Sequence, residues 1–165
     1  MMVSSRSAFA SACLLLGACA TPHQAMPSAT PAPCTGGASG VTFCIESIAP
    51  PAGAVVTADS VFRVSVRYHV PQFQPGRWHV VLVFATTAGR WHSGPIRDRG
   101  SWMLSDSAGV FNGQQSFGDV WHNAAFARPF RIYVLLNQNQ AGRPGISGPV
   151  VTLGPFDYNV APPEH

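Results

Sequence analysis

Hydrophobic and polar residues alternate with a period of two along much of the chain after residue 40. In residues 61–70 every second side chain is apolar: Phe62, Val64, Val66, Tyr68 and Val70. Because successive side chains of a β-strand point to opposite faces, this pattern predicts a strand with one buried face. Residues 131–137 show the same alternation and are predicted to form another half-buried strand.

Five further segments are predicted to be strands: residues 41–48, 78–86, 101–104, 115–122 and 150–160. Turn-forming residues separate the strands, for example at Ser107 to Gly109 and at Asn112-Gly113. No amphipathic helix is evident. About seven short strands in roughly 120 residues predict an all-β, two-sheet sandwich domain at residues 41–160, followed by a short tail at residues 161–165.

Residues 78–85 are apolar on both faces of their predicted strand. One face carries Trp78, Val80, Leu82 and Phe84. The other face carries Val81, Val83 and Ala85. One face is expected to fill the core. The other needs a cover, because large exposed apolar patches are unusual in soluble monomers. We expect residues 90–101 to supply that cover, the alternative being a protein interface.

Residues 45–56 combine a strand with a Pro-x-x-Gly turn at Pro50 to Gly53, and a second strand follows at residues 62–68. This order resembles the opening of bacterial immunoglobulin-like domains, and residues 156–160 suit the final strand. The resemblance implies an immunoglobulin-like sandwich of about seven antiparallel strands. Cys34 and Cys44 are too close in sequence to be the inter-sheet disulfide of antibody domains.

The first twenty residues have the features of an export signal. Arg6 supplies a positive charge, and residues 8–16 form an apolar run that is too short to cross a bilayer. The run continues into Leu16-Gly17-Ala18-Cys19, which resembles the lipobox of bacterial lipoproteins. The resemblance implies a signal peptide at residues 1–18 and an acylated Cys19. The alternative is an ordinary signal peptide cleaved after Ala18 or Ala20, which would give a soluble periplasmic protein.

In the lipoprotein sorting pattern, Ala20 in place of Asp implies the outer membrane, with the domain facing either the periplasm or the cell surface. Residues 19–40 are rich in Pro, Ala, Ser, Thr and Gly and have no hydrophobic period. They are therefore predicted to form a flexible tether between the lipid and the domain. The membrane is thus an expected partner through the N-terminal lipid.

The four cysteines divide into three roles. Cys13 lies in the expected signal peptide and Cys19 would carry the lipid, which leaves Cys34 and Cys44. In an oxidising compartment these two are expected to form a disulfide. Metal binding by the two thiols is the weaker alternative, since no CxxC spacing or nearby His accompanies them.

Charge and motifs argue against nucleic-acid binding and catalysis. The formal net charge is +3, and all ten basic residues are Arg without a cluster, so no nucleic-acid partner is expected. The nucleophile-elbow, zinc-protease, P-loop and Rossmann motifs are absent from the sequence. We therefore predict a protein that is not an enzyme, with no catalytic residue and no cofactor.

An aromatic residue precedes histidine at four positions, giving the candidate metal ligands His69, His79, His92 and His122. If the aromatic rings enter the core, these histidines could line an outer face and converge on a Zn or Cu ion. The alternative, which we favour, is that the tryptophans are core residues and the histidines are isolated surface groups.

A second candidate site uses aromatic rings directly. Trp91 and Trp102 have polar neighbours and, if exposed, could stack on the sugar rings of a glycan or of peptidoglycan. The sequence thus predicts a lipid-anchored envelope protein with a binding or scaffolding role and an envelope protein or a glycan as its partner. A periplasmic metal-binding protein and a glycan-binding module are the alternatives.

Overall fold

We describe a computed structural model of the chain over residues 34–92, 101–139 and 147–161. Nearly all of its regular structure is β. The strands are β1 (Thr35–Gly36), β2 (Thr42–Ala49), β3 (Val55–Val56), β4 (Val61–His69), β5 (Trp78–Ala85), β6 (Trp91–His92), β7 (Ser101–Met103), β8 (Ala108–Ser116), β9 (Phe130–Asn139) and β10 (Ser147–Val160). Two short helical segments accompany them, a 3-10 turn at Ala38–Gly40 and α1 at Gly118–Trp121.

The strands form two sheets. The first has the order β1-β2-β4-β8, and the second has the order β3-β10-β9-β5, with β6 and β7 both paired to the remaining edge of β5. The pairing is antiparallel except between β3 and β10, which run parallel. The predicted all-β two-sheet sandwich is therefore confirmed.

Alternation places one face of each main strand in a shared core. In β4 the buried residues are Phe62, Val64, Val66 and Tyr68, and every residue between them is at least partly exposed. Side chains from β5, β9 and β10 meet these across the space between the sheets. Burying the apolar face is what stabilises such a strand, at about 25 cal/mol per Å² of apolar surface removed from water.

Aromatic side chains cluster at one end of the core. Phe84, Phe117 and Phe130 contact one another edge to face or tilted, with ring centroids 5.7–6.0 Å apart. Tyr158 joins them through Phe117 at 5.3 Å, and its buried hydroxyl donates a hydrogen bond of 2.9 Å to the Pro50 carbonyl oxygen. Because Phe84 lies near the end of β5, Trp78 at the start of β5 marks the opposite end of the sandwich.

The strand β5 is buried on both faces, as the sequence predicts. One face belongs to the main core, and the other forms a separate buried cluster of Val81, Val83 and Leu135 on the outer side of the second sheet. Residues 93–100, the greater part of the segment expected to cover that cluster, lie outside the described residues. The choice between a loop cover and a protein interface therefore stays a prediction.

The prediction of a strand at residues 115–122 is wrong beyond Ser116. After β8 ends at Ser116, the chain forms the short helix α1. A helical turn brings residues three apart to the same side, so that Phe117 and Val120 can both enter the core, where each is fully buried. A strand would have pointed these two side chains to opposite faces.

The predicted turn at residues 112–113 is also wrong, because β8 runs from Ala108 to Ser116. The turn expected at residues 107–109 lies slightly earlier, as a bend at residues 106–107. The glycines of β8 provide space for aromatic rings. A Cβ at Gly113 would lie 2.5 Å from the Phe111 ring, and a Cβ at Gly109 would lie 3.1 Å from the Tyr68 hydroxyl oxygen. Here glycine marks close packing of a ring over the strand, as it can inside sheets.

Residues 34–40 belong to the sandwich, although the sequence placed them in the tether. Cys34 and Cys44 form the expected disulfide. Between them, β1 pairs with the start of β2, and the Gly37 N–H donates to the Val41 carbonyl oxygen at 2.8 Å. Residues 1–33, including the expected signal peptide and Cys19, lie outside the described residues. No helix of the described part is long and apolar enough to cross a membrane.

Candidate functional site

Four residues form a polar block where β5 begins and β9 ends. Trp78 lies directly opposite Gln138, and His79 lies directly opposite Asn137. Because partners across a strand pair share a face, the first pair faces the core and the second faces outward. We call these four residues the Trp78–His79 block.

The block concentrates polar atoms that are buried and have no partner. Among the described residues, four side-chain atoms are in this condition: Trp78 Nε1, His79 Nδ1, Asn137 Oδ1 and Gln115 Oε1. Three of the four belong to the block. Trp78 Nε1 lies on the core face of the sheet, whereas His79 Nδ1 and Asn137 Oδ1 lie on the outer face, so the three atoms do not form one site. Buried polar groups in folded proteins are almost always hydrogen-bonded, and ordered water commonly completes their bonding.

A cavity of about 210 Å³ opens beside the inner pair, at the end of the sandwich opposite the aromatic rings. We call it the end cavity. Its lining consists of Ser39, Val41, Gln72, Trp78, Gln138 and Val150. Trp78 is only 4% exposed, and its indole Nε1–H is the donor without an acceptor. The lining of the end cavity thus combines an aromatic side chain, two amides, a hydroxyl and two valines.

The disulfide loop builds one wall of the end cavity. Ser39 and Val41 both lie between Cys34 and Cys44, so the disulfide closes the loop that carries them. Ser39 has a φ of 68°, a left-handed conformation that non-glycine residues rarely adopt. Backbone in sparsely populated conformations persists where the surrounding structure holds it, and it is enriched at binding sites.

Hydrogen bonds fix the strands next to the block. The Arg77 guanidinium donates to the Asn139 carbonyl oxygen from both Nε and Nη2, at 3.3 and 3.2 Å, and its Nη1 donates to Gln74 Oε1 at 2.6 Å. The Asn139 side chain returns a bond of 3.2 Å to the Gly76 carbonyl oxygen. These contacts hold Trp78 and Gln138 in register.

Other depressions lack this combination. A groove of about 370 Å³ runs over the outer face of the first sheet, past Arg63, Ser65 and Asn112. Another, of about 420 Å³, lies beside Arg128, Arg131 and Tyr133. Neither lining includes a residue with a buried, unpartnered polar atom. The end cavity is therefore the strongest candidate within the described part of the chain.

Comparison with known proteins adds no relative. No family model, no curated protein and no solved structure matches this chain significantly.

The outer pair of the block has an unusual histidine. His79 is 7% exposed, and burial lowers its pKa below the ordinary value of 6.5 because a charged imidazole would lose its hydration. The imidazole is therefore neutral at pH 7. Met103, which is 53% exposed, lies opposite His79 on the β7 side.

The structure does not bring the four candidate histidines onto one face. His69 ends β4 in the first sheet and is exposed, whereas His79 is buried in the second sheet. His122 is exposed after α1, and His92 lies in β6, its side chain being outside the described residues. Within the described residues, no three His, Cys, Asp or Glu side chains are grouped to hold a metal ion.

The two tryptophans predicted to stack on sugars have different outcomes. Trp102 is half-buried, packs against the main core and has its ring 5.2 Å from the Phe111 ring, so much of its surface is already used. The side chain of Trp91 lies outside the described residues. Sequence reasoning missed Trp78 as a site residue, although Asn137 and Gln138 interrupt an apolar strand opposite it and could have pointed there.

Proposed function

We propose that this chain is a noncatalytic binding protein of the bacterial envelope, anchored by a lipid on Cys19, and that its ligand occupies the end cavity. The observation that supports a ligand there is the composition of the cavity lining, where the Trp78 side chain meets the amides of Gln72 and Gln138. Amides can both donate and accept hydrogen bonds, and aromatic surface packs against apolar groups of a ligand.

The surroundings of the cavity support binding over catalysis. Among the described residues, the lining contains no ionisable side chain that could act as a general acid, base or nucleophile at neutral pH. Two carboxylates form surface ion pairs away from the cavity: Glu46 pairs with Arg67, and Asp157 forms a two-pronged pair with Arg131. Asp119 accepts a hydrogen bond of 3.1 Å from Gln115.

The proposed immunoglobulin-like character has support in the connectivity. The first long strand pairs in the first sheet, and the chain then crosses so that β3 runs parallel to the final strand β10 in the second sheet. The remaining pairs are antiparallel, with β4 and β8 in one sheet and β5, β9 and β10 in the other. Such sandwiches commonly serve as binding modules, an analogy of fold and not of site.

The anchor is tested by lipid attachment in cells. We expect wild-type protein to incorporate labelled palmitate and to show an intact mass that includes acyl chains on residue 19. Cys19→Ser should abolish both signals, whereas Cys13→Ser should change neither. Unacylated wild-type protein with an N-terminus at Thr21 or at Cys19 would contradict the anchor and support the soluble periplasmic alternative.

A further inference from the structure

We infer that β8 is the docking site for an extended strand of another protein, which joins the first sheet through backbone hydrogen bonds. The docked strand is apolar on the side that faces the second sheet and carries an acidic residue on the outward side. No residue of β8 lines the end cavity, so this inference goes beyond the ligand site proposed above and does not depend on it.

β8 differs from the other long strands at the sheet edges of the described structure. β10 is paired with β3 at only two positions on one side, and it contains Pro149, Pro155 and two register shifts. β2 is paired with β1 at only two positions, and it contains a register shift and the charged Glu46. Prolines, bulges and charges are features that keep a sheet edge from pairing with another chain. β8 has none of them, since its nine residues are uncharged, include no proline and pair with β4 without a register shift.

Hydrogen bonds at both ends of the β4–β8 pair show which backbone groups of β8 face away from β4. The Val70 N–H donates to the Ser107 carbonyl oxygen at 2.6 Å, and the Phe117 N–H donates to the Ser60 carbonyl oxygen at 3.0 Å. Hydrogen-bonded pairs alternate along an antiparallel ladder, so the odd-numbered residues of β8 bond to β4. The N–H and C=O groups of the even-numbered residues point to the opposite edge, which we call the free edge: Ala108, Val110, Asn112, Gln114 and Ser116.

The free edge is accessible to a partner. Over the part of the chain that the structure describes, β8 pairs with β4 alone. The Val110 side chain is 50% exposed, and Asn112 and Gln114 are exposed as well. Five residues that each offer one N–H and one C=O can form about ten hydrogen bonds with an added strand, which is the number typical of a specific protein interface.

The second sheet extends further on this side than the first. β5 packs over β8, since the Leu82 side chain lies 3.5 Å from where a Cβ of Gly113 would be, and β7 pairs with the far edge of β5. Trp102 in β7 lies opposite Val80 and therefore shares its core face. The Trp102 ring contacts Phe111 at 5.2 Å but is only half-buried. A strand added to β8 would lie opposite β7, and its apolar inner side would cover more of this ring.

The outer face of the first sheet sets the charge of the partner. In β4, Arg63 lies opposite Gln114 and Arg67 lies opposite Val110. Glu46 pairs with Arg67, whereas Arg63 forms no ion pair with any described residue. One uncompensated positive charge therefore lies next to β8. An acidic side chain on the outward side of the docked strand would complement it.

Synthetic peptides titrated into the purified full-length protein test the docking mode by calorimetry. The probe has the nine-residue length of β8 and alternates threonine and valine, with glutamate in place of the central threonine. N-methylation of every second residue removes the N–H groups along one edge of the peptide. Methylating one alternate set should abolish binding and methylating the other should leave it unchanged, because only one edge of a docked strand faces β8. Equal effects of the two methylated sets, or no binding of the unmodified peptide at about 1 mM, would overturn the inference.

Two variants at one position locate the site. Val110→Pro removes an N–H of the free edge and should weaken peptide binding at least about tenfold. Its urea midpoint should stay close to that of wild type, because this N–H makes no bond to β4. Val110→Thr is the matched control, since it keeps the N–H and the β-branched shape, and it should bind the peptide as wild type does. A folded Val110→Pro protein that binds with wild-type affinity would overturn the assignment of β8.

The charge of the partner is tested with a peptide that carries lysine in place of glutamate. Wild type should bind the glutamate peptide about two- to fivefold more tightly than the lysine peptide, as expected for one exposed ion pair. Arg63→Gln should remove this preference and leave the effect of N-methylation unchanged. A lysine peptide that binds wild type as tightly as the glutamate peptide would overturn the acidic chemistry of the partner.

Discussion

Opening the Cys34–Cys44 disulfide should destabilise the domain and loosen one wall of the end cavity. The bond spans a sequence separation of ten residues and closes the loop that carries β1, Ser39 and Val41. In the double variant Cys34→Ala/Cys44→Ala this loop gains freedom in the unfolded state, and its native conformation loses a covalent constraint.

The size of the effect follows from loop closure. For the ten-residue separation, the chain-entropy relation gives about 9 cal/mol/K, or roughly 2.7 kcal/mol at 25 °C. With an m-value near 2 kcal/mol per M, this corresponds to a fall of roughly 1.3 M in the urea midpoint. The free energy of unfolding of the double variant should therefore lie about 2–3 kcal/mol below that of wild type.

Urea unfolding, followed by tryptophan fluorescence with and without reductant, measures this difference. Reductant should shift the wild-type midpoint to that of the double variant and should leave the variant itself unchanged. A midpoint that moves by less than about 0.3 M on reduction would refute the reasoning that the loop is held by this bond.

Two further predictions concern side chains inside the sheets. Because burial lowers the pKa of His79, the unfolded chain takes up a proton below pH 6.5 more readily than the folded protein, so stability should fall as the pH drops below that value. The acid slope should be shallower in His79→Gln; equal slopes between pH 7 and 5 in urea titrations would contradict this. Gly113→Val should cost about 1–3 kcal/mol, since its Cβ would meet the Phe111 ring at 2.5 Å, whereas Gly148→Ala, with no atom within 4 Å, should be nearly neutral in the same assay.

The period of apolar residues in the sequence was sufficient to predict the strands whose buried and exposed faces follow from local sequence. In β4 the alternation of apolar and polar residues correctly predicts which side chains face the core. In β5 the apolar residues on both faces correctly predict that both faces are buried. The fold class follows from these strands and the turns between them.

Periodicity failed where a residue's role depends on a distant partner. The sequence Asn112-Gly113 is typical of a turn, but Gly113 lies within β8, where the Phe111 ring packs over it. The helical turn after Ser116 is set by the need to bury both Phe117 and Val120, which local propensity does not reveal. Tertiary contacts overrode the local signal in both places.

The end cavity was beyond sequence reasoning for a similar reason. Trp78 and Gln138 are sixty residues apart, and only the register between β5 and β9 places them side by side. Ser39 joins them because residues 34–40 belong to the sandwich, whereas composition alone placed them in a tether. The sequence instead suggested Trp102 as a ligand-stacking residue, and Trp102 packs against the core.

The most direct test of the packing beside the end cavity is the nuclear magnetic resonance signal of the Trp78 indole N–H. The chain has four tryptophans, so a ¹⁵N-labelled sample should give four indole signals, of which Trp78→Phe removes one. Because Trp78 is 4% exposed and its Nε1 is buried, we predict that this N–H exchanges with solvent deuterium more slowly than the N–H of the half-buried Trp102. A Trp78 signal that exchanges as fast as the Trp102 signal would contradict the placement of Trp78 between the core and the end cavity.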